Sequence, residues 1–208
     1  MNYWPTNDDV IRSLRTGKDS KDRWYPTPTR VWQATISAFF HNEIQLIDDI
    51  SVRRNIAYNL QYVEYLEQTL RELSLSDVLE GQTIKSHVIV SVSLVECLLF
   101  HLNRVAGGKQ EKLYGIIDNI SRLRLLGEAQ KRYDDLNRFR DLRNKIHINK
   151  PRDALGTDYQ SFRRNELREM RSILYDTATS SALGLTKPQA KPFEFLQSKV
   201  FSSEEWKI

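Results

Sequence analysis

Between Ser51 and Leu73, apolar side chains recur at Val52, Ile56, Leu60, Val63, Leu66, Leu70 and Leu73, in steps of four, four, three, three, four and three residues. Steps of three and four gather side chains on one stripe of a helix, because a turn takes about 3.6 residues. A strand would need a period of two. The stripe covers 22 residues, long for a globular helix, and suits one edge of an elongated bundle. Ser51 is placed to cap its start.

The next run has a different pattern. Over 83–104, Ile84, Val88, Val92, Val95 and Leu99 share one face, while Ile89, Val90, Leu94, Leu98 and Leu102 cover others. A helix apolar nearly all round belongs at the centre of a bundle. Glu80-Gly81 reads as the break before it and Ala106-Gly107-Gly108 as its end. Further helices are predicted over 31–50, kinked near His41, and over 109–124, 128–148 and 158–183, with Pro151 and Gly156 in a loop. No window alternates like a strand, and 8 Gly with 6 Pro are too few for a fold built on many tight turns. The predicted class is all-α, an antiparallel helical bundle of about five helices with irregular arms at both ends. The boundaries are 1–30 for an N-terminal arm, 31–183 for the bundle and 184–208 for a tail. Trp4, Trp24 and Tyr25 in the first, and Phe193, Phe195, Phe201 and Trp206 in the last, suggest segments that dock on the body or a partner subunit.

The single cysteine, Cys97, allows no disulfide within the chain, which fits a reducing compartment. The opening residues lack the apolar core of a secretory signal. The most apolar stretch, VIVSVSLVECLLF at 88–100, has 13 residues and includes Glu96, which reads as a buried core helix and not a membrane span. A cytoplasmic protein without a membrane partner is the expectation.

Charge is unevenly placed. The chain carries a net +4, but residues 121–152 hold ten Lys/Arg against four Asp/Glu, so this window is +6 and the remainder about −2. A concentrated basic region on a near-neutral body points to a polyanion. The plainer reading is a solvated basic face.

Within that window stands RFRDLRNKIHIN, residues 138–149. At about 100° per residue, Arg143, Asn144 and His147 fall within about 60° of Arg140, while Leu136, Phe139, Leu142 and Ile146 lie mostly beside them. The polar cluster therefore sits at the edge of the packed face, where a cleft or subunit seam would form. Such a group suits RNA cleavage by attack of the 2′-hydroxyl on the adjacent phosphorus. His147 would move protons near neutral pH. Arg143 and Arg140 would hold the phosphate and its developing charge, and Asn144 would orient the ribose or the leaving oxygen. Asp141 and Glu96 are candidate supports, Glu96 as the partner of Arg140 or Arg143 or else on an exposed strip. Lys145, Lys150 and Arg138 are candidate RNA contacts.

Other residues carry weaker signals. No His-x-x-x-His, cysteine pair or carboxylate cluster beyond Asp48-Asp49 and Asp134-Asp135 suggests a metal, and no cofactor is expected. Those acidic pairs read as surface residues or caps. His87 and His101 read as core-edge or surface histidines, His41 as structural and Cys97 as a small buried residue. Tyr58, Tyr62 and Tyr65 read as lining the core rim, and Tyr159 as packing or stacking on a base. Arg163, Arg164, Arg168 and Arg171 would extend a nucleic-acid path or pair with Glu166 and Glu169.

The segment RDLRNKIH, Arg140–His147, resembles the signature of the HEPN superfamily (higher eukaryotes and prokaryotes nucleotide-binding domains). That signature is an arginine, usually followed by a polar residue, with four to six residues before a histidine. Arg140 with Asp141 behind it meets that spacing at its wide end, and Arg143-Asn144 matches the common RN opening at a shorter spacing. Either arginine fills the motif position. The resemblance covers roughly 31–183 and implies an all-helical homodimer with both motifs facing one composite cleft. It implies a metal-independent endoribonuclease, as in many toxins and anti-phage effectors. RNA, single-stranded or structured, would be the substrate, with an antitoxin or regulatory protein as a further partner. The alternative it implies is a non-catalytic nucleotide- or protein-binding module.

Overall fold

The computed structural model of the chain describes residues 47–73, 75–144, 158–183 and 191–197. Among them are five α-helices and no strand, an all-α helical bundle. They are α1 (Ile50–Glu72), α2 (Asp77–Val105), α3 (Leu113–Arg122), α4 (Gln130–Asn144) and α5 (Arg164–Ala178). Short 3-10 turns occupy Asp158–Ser161, Ser181–Leu183 and Lys191–Gln197. The expected helix over 31–50, the arm residues Trp4, Trp24 and Tyr25, and Phe201 and Trp206 lie outside the described residues, apart from 47–50.

α1 buries the predicted stripe. Ile56, Leu60, Val63, Leu66 and Leu70 are in the core, Val52 is half-buried against it, and only Leu73, at the C-cap, is exposed. The cap is Asp49, not Ser51: its Oδ1 accepts from the N–H groups of Ser51 (2.7 Å) and Val52 (3.4 Å). A carboxylate there also meets the positive end of the helix dipole. Arg53, itself buried, donates from Nη1 to the carbonyls of Ile47 (2.6 Å) and Asp48 (2.8 Å), fixing how the chain enters the helix. Tyr58, Tyr62 and Tyr65 lie outside the core rim predicted for them, between 43% and 48% exposed, with Tyr62 and Tyr65 stacked at 6.2 Å.

α2 is the central helix and packs against all four others. Ile84, Val88, Val92, Val95, Leu98, Leu99 and Leu102 are all buried. It starts at Asp77, so the break expected at Glu80-Gly81 is absent and Gly81 is a buried helix residue. A helix glycine costs about 1 kcal/mol against alanine. Packing overrides that cost, and Glu80 is locked by Arg164 of α5 through a two-pronged ion pair (2.7 and 2.9 Å). At 29 residues, with a mean hydropathy of 1.6 in its most apolar stretch, α2 is by length and composition able to cross a membrane, which the 13-residue run 88–100 had not suggested. Its place here is the centre of the bundle.

α2 ends where Gly107 takes φ +78°. A Cβ on Gly108 would meet Asn103 Oδ1 at 2.1 Å, so any larger residue there would push the Asn103 amide out of its place. Asn103 is buried and ties the turn to α3. It donates to the Gln110 carbonyl (3.3 Å) and accepts from Asn119 Nδ2 (2.7 Å). This engagement explains why α3 begins at Leu113, later than the predicted 109.

α4 buries Tyr133, Leu136 and Phe139. The Tyr133 hydroxyl donates to the Gly127 carbonyl (2.8 Å) and accepts from the Leu126 N–H (3.2 Å), closing the α3–α4 turn. α5 is shorter than the predicted 158–183. Phe162 is buried ahead of it, and the Glu166 side chain accepts from the Arg163 N–H (2.9 Å) at its start. The segment Lys191–Gln197 packs on α5 with Phe193 and Leu196 buried, so this part of the tail docks on the body.

Candidate functional site

α3 and α4 run so that the start of α3 meets the last described turn of α4, beside the middle of α2. Tyr133 and Arg140 sit seven residues apart, two turns along one face of α4. At Tyr133 that face is sealed by the α3–α4 turn. At Arg140 it opens into a groove of about 460 Å³ lined by Glu96, Glu111, Lys112, Leu113, Tyr114, Arg140, Arg143 and Asn144.

Three of the four residues predicted to cluster therefore share one cavity. Arg143 reaches across to α2, where its Nη1 ion-pairs with Glu96 Oε2, and its Nη2 donates to Asn144 Oδ1 at 3.4 Å. Glu96 is thus the partner of Arg143 and not of Arg140, and it also lines the groove. Arg140 pairs with its neighbour Asp141 through Nε (3.2 Å) and Nη2 (2.7 Å), and its guanidinium carbon stands 5.6 Å from the Tyr114 ring centroid. Both arginine side chains are partly covered, at 20% exposure for Arg140 and 29% for Arg143. Their charges are largely met by Asp141 and Glu96. Lys112 holds the N-cap position of α3 and no side chain caps that helix. His147, Lys145 and Lys150 lie outside the described residues.

Arg138, a predicted RNA contact, is engaged elsewhere. It ion-pairs with Glu169 and with Glu166 (3.6 Å) of α5 and lies 4.4 Å from the centroid of Phe139. Its position on α4, about 160° from Arg140, already separates it from the groove. The predicted extension through α5 is not continuous with the groove either. Arg163 pairs with Asp77 (3.1 Å), Arg164 with Glu80, and Arg168 donates to Asn165 (3.0 Å). Within the basic window, Arg124, Lys131 and Arg132 also have carboxylate partners in Glu128, Asp135 and Asp176. The window is basic in sequence, but most of its described Lys and Arg residues face a carboxylate in space, several of them on other helices.

Two features escaped the sequence. Tyr114 is 66% exposed on the groove rim. Its neighbours Leu113, Ile116, Ile117 and Ile120 face inward, so helical spacing already set it apart. The second is a buried ionic cluster. His87, expected at the core edge or surface, is fully buried, and its Nε2 lies 3.1 Å from Glu67 Oε1. Glu67 also accepts from Arg171 Nε (2.7 Å) and Nη2 (3.1 Å), and Arg171 donates to the Phe195 carbonyl (2.8 Å). The signal was spacing: His87 lies three residues after Ile84, on the buried face of α2.

Two shifted groups border these elements. Burial, with repulsion from Glu67 and a partial offset from Arg71, pushes the Glu64 carboxyl up to about 7. Burial and then the neighbouring Glu96 push the Cys97 thiol up to about 11. Cys97 is only partly buried, and its raised pKa makes it a poor nucleophile. Among the described residues no group of three or more His, Cys, Asp or Glu gathers to hold a metal.

Comparison with protein-family models, with curated proteins and with solved structures yields no match.

Proposed function

We propose that the protein is a metal-independent endoribonuclease of the HEPN type, acting as a two-fold dimer whose paired grooves hold one RNA strand. The observation that carries this reading is the groove itself, where Arg143, braced on Glu96, stands with Arg140 and Asn144 on one wall. A phosphate entering it would exchange carboxylate partners for its own oxygens on guanidinium groups already in place. His147 follows Asn144 by three residues in the sequence and is the proton-transfer group of the proposal. One imidazole takes the proton of the 2′-hydroxyl as its oxygen bonds to phosphorus. The bond to the 5′-oxygen breaks, and a second imidazole, from the partner subunit, protonates that oxygen. The products are a 2′,3′-cyclic phosphate and a 5′-hydroxyl. Two copies of one histidine supply both the base and the acid.

The test is cleavage of single-stranded RNA by purified protein in EDTA, with end-group analysis. Cyclic phosphate ends are expected. Arg143→Ala should lower the rate about 100- to 1,000-fold, the loss typical of removing one charge-stabilising donor, and His147→Ala should abolish it with the helical signal intact. Cleavage that requires a divalent metal would refute the mechanism.

A second reading is a non-catalytic nucleotide- or protein-binding module on the same scaffold. It is favoured by the pairing of Arg140 with Asp141 and Arg143 with Glu96, which brings the groove close to neutrality. A protein that binds RNA or a nucleotide but never cuts would support it.

A further inference from the structure

We propose that Tyr114 is a stacking platform for an unpaired nucleobase, so that the groove takes single-stranded and not duplex RNA. The inference rests on the phosphate-handling reading of Arg140 and Arg143. Tyr114 is presented by the first turn of α3, whose inner residues Leu113, Ile116 and Ile117 are buried, so the ring stands on a fixed support. At 66% exposure most of it is open to a ligand. Arg140 lies 5.6 Å from the ring centroid, within cation–π range, and ties the ring to the same guanidinium that would hold a phosphate. A phosphate on Arg140 and Arg143 therefore places its own or the adjoining nucleotide beside an aromatic face. The groove, about 460 Å³, is of the size that small-molecule sites occupy and accommodates a nucleotide unit. In a duplex the base faces are covered by their stacked neighbours. Only an unpaired base offers a face to the ring, and because every base has one, the platform favours strandedness over sequence.

The test uses the full-length protein and 2′-O-methyl oligonucleotides, which lack the attacking hydroxyl and stay intact. Binding of a ten-residue oligoadenylate is compared with that of an abasic sugar-phosphate oligomer of equal length. Tyr114→Ala should weaken oligoadenylate binding about tenfold, in keeping with loss of one stacked base. Tyr114→Phe should stay within about twofold of wild type. The abasic oligomer should bind wild type and Tyr114→Ala alike, and the salt dependence should be the same for both proteins, since no phosphate contact is lost. Unchanged oligoadenylate binding by Tyr114→Ala, or an equal loss on the abasic oligomer, would overturn the stacking role and leave the phosphate site standing. Absence of oligonucleotide binding by wild type would overturn both. Because Tyr114 is exposed, the variants should unfold with the wild-type midpoint, which a urea titration checks.

Discussion

The buried Glu67–Arg171–His87 cluster makes a strong prediction about stability. Glu67 and Arg171 have side chains only 3% and 6% exposed, and His87 none. Glu67→Ala leaves a guanidinium in the core without its counter-charge, and strips His87 of its Nε2 partner. Removing one member of a buried pair costs about 3–5 kcal/mol, most of it the desolvation of the charge left behind. A domain has about 5–15 kcal/mol in total, so the variant should fold but be markedly weakened. With a urea m-value of about 2.5 kcal/mol/M, the midpoint should fall by about 1–2 M. Replacing both members, Glu67→Met with Arg171→Met, removes the stranded charge and should recover at least half of that loss, even though His87 and the Phe195 carbonyl lose partners. The assay is urea unfolding followed by far-UV circular dichroism. A cost below about 1 kcal/mol for Glu67→Ala would refute the assignment of a desolvated pair. So would a double variant as unstable as the sum of the single ones.

Three further outcomes are expected. Glu64, held near 7, binds its proton more tightly folded than unfolded, so stability is full below about pH 4.5 and declines as pH rises toward 7. Undiscounted, that shift corresponds to about 3 kcal/mol, and screening by solvent reduces it to about 1–2 kcal/mol. Glu64→Gln should flatten the difference in unfolding free energy between pH 5 and pH 8 by that amount, about 0.4–0.8 M in urea midpoint at the same m-value. Cys97, with its thiol near 11, should react with a thiol reagent at pH 8 more than about 100-fold slower than in denaturant, where the usual thiol pKa returns. Glu96→Gln should lower the RNA-cleavage rate about tenfold through loss of Arg143 positioning yet tighten binding of the strand, because a negative charge leaves the groove; a fall in both would place Glu96 outside the positioning role.

The fold was legible where periodicity was clean. The α1 stripe and the all-round apolarity of α2 follow directly from spacing, and both elements occupy the places these patterns imply. Boundaries were less so, because they depend on partners distant in sequence. Gly81 stays helical since Glu80 meets Arg164 from α5, and α3 starts late because Asn103 holds the preceding turn. The joint position of Arg140, Arg143 and Asn144 was readable from the angles of a single helix. The pairing of the window's described cations with carboxylates was not. Within one helix only pairs such as Lys131 with Asp135 can be inferred from spacing, whereas Arg132, Arg138 and Arg143 find carboxylates 28 to 47 residues away on other helices. Spacing already placed Tyr114 outside the buried face of α3 and His87 on the buried face of α2; what it did not supply is the partner each meets, Arg140 from α4 and Glu67 from α1.

α2 shows how the bundle and the candidate groove are fixed together. An apolar helix slides and rotates against apolar neighbours at little cost, since hydrophobic burial is non-directional. Four polar groups on α2 remove that freedom, each engaged by a different helix: Glu80 by Arg164 of α5, His87 by Glu67 of α1, Glu96 by Arg143 of α4, and Asn103 by Asn119 of α3. They span 24 residues, nearly the whole helix. His87 and Asn103 are sealed in the core, where a slip in register would leave a buried polar group unpaired, at about 1–3 kcal/mol apiece. Glu96 differs in facing the groove. Its side chain is 35% exposed, so its ion pair with Arg143 contributes little to stability. Its consequence is positional: the register set by the buried groups determines where Glu96 stands, and Glu96 determines where the Arg143 guanidinium stands. The geometry of the groove wall is in this sense inherited from the core of the bundle.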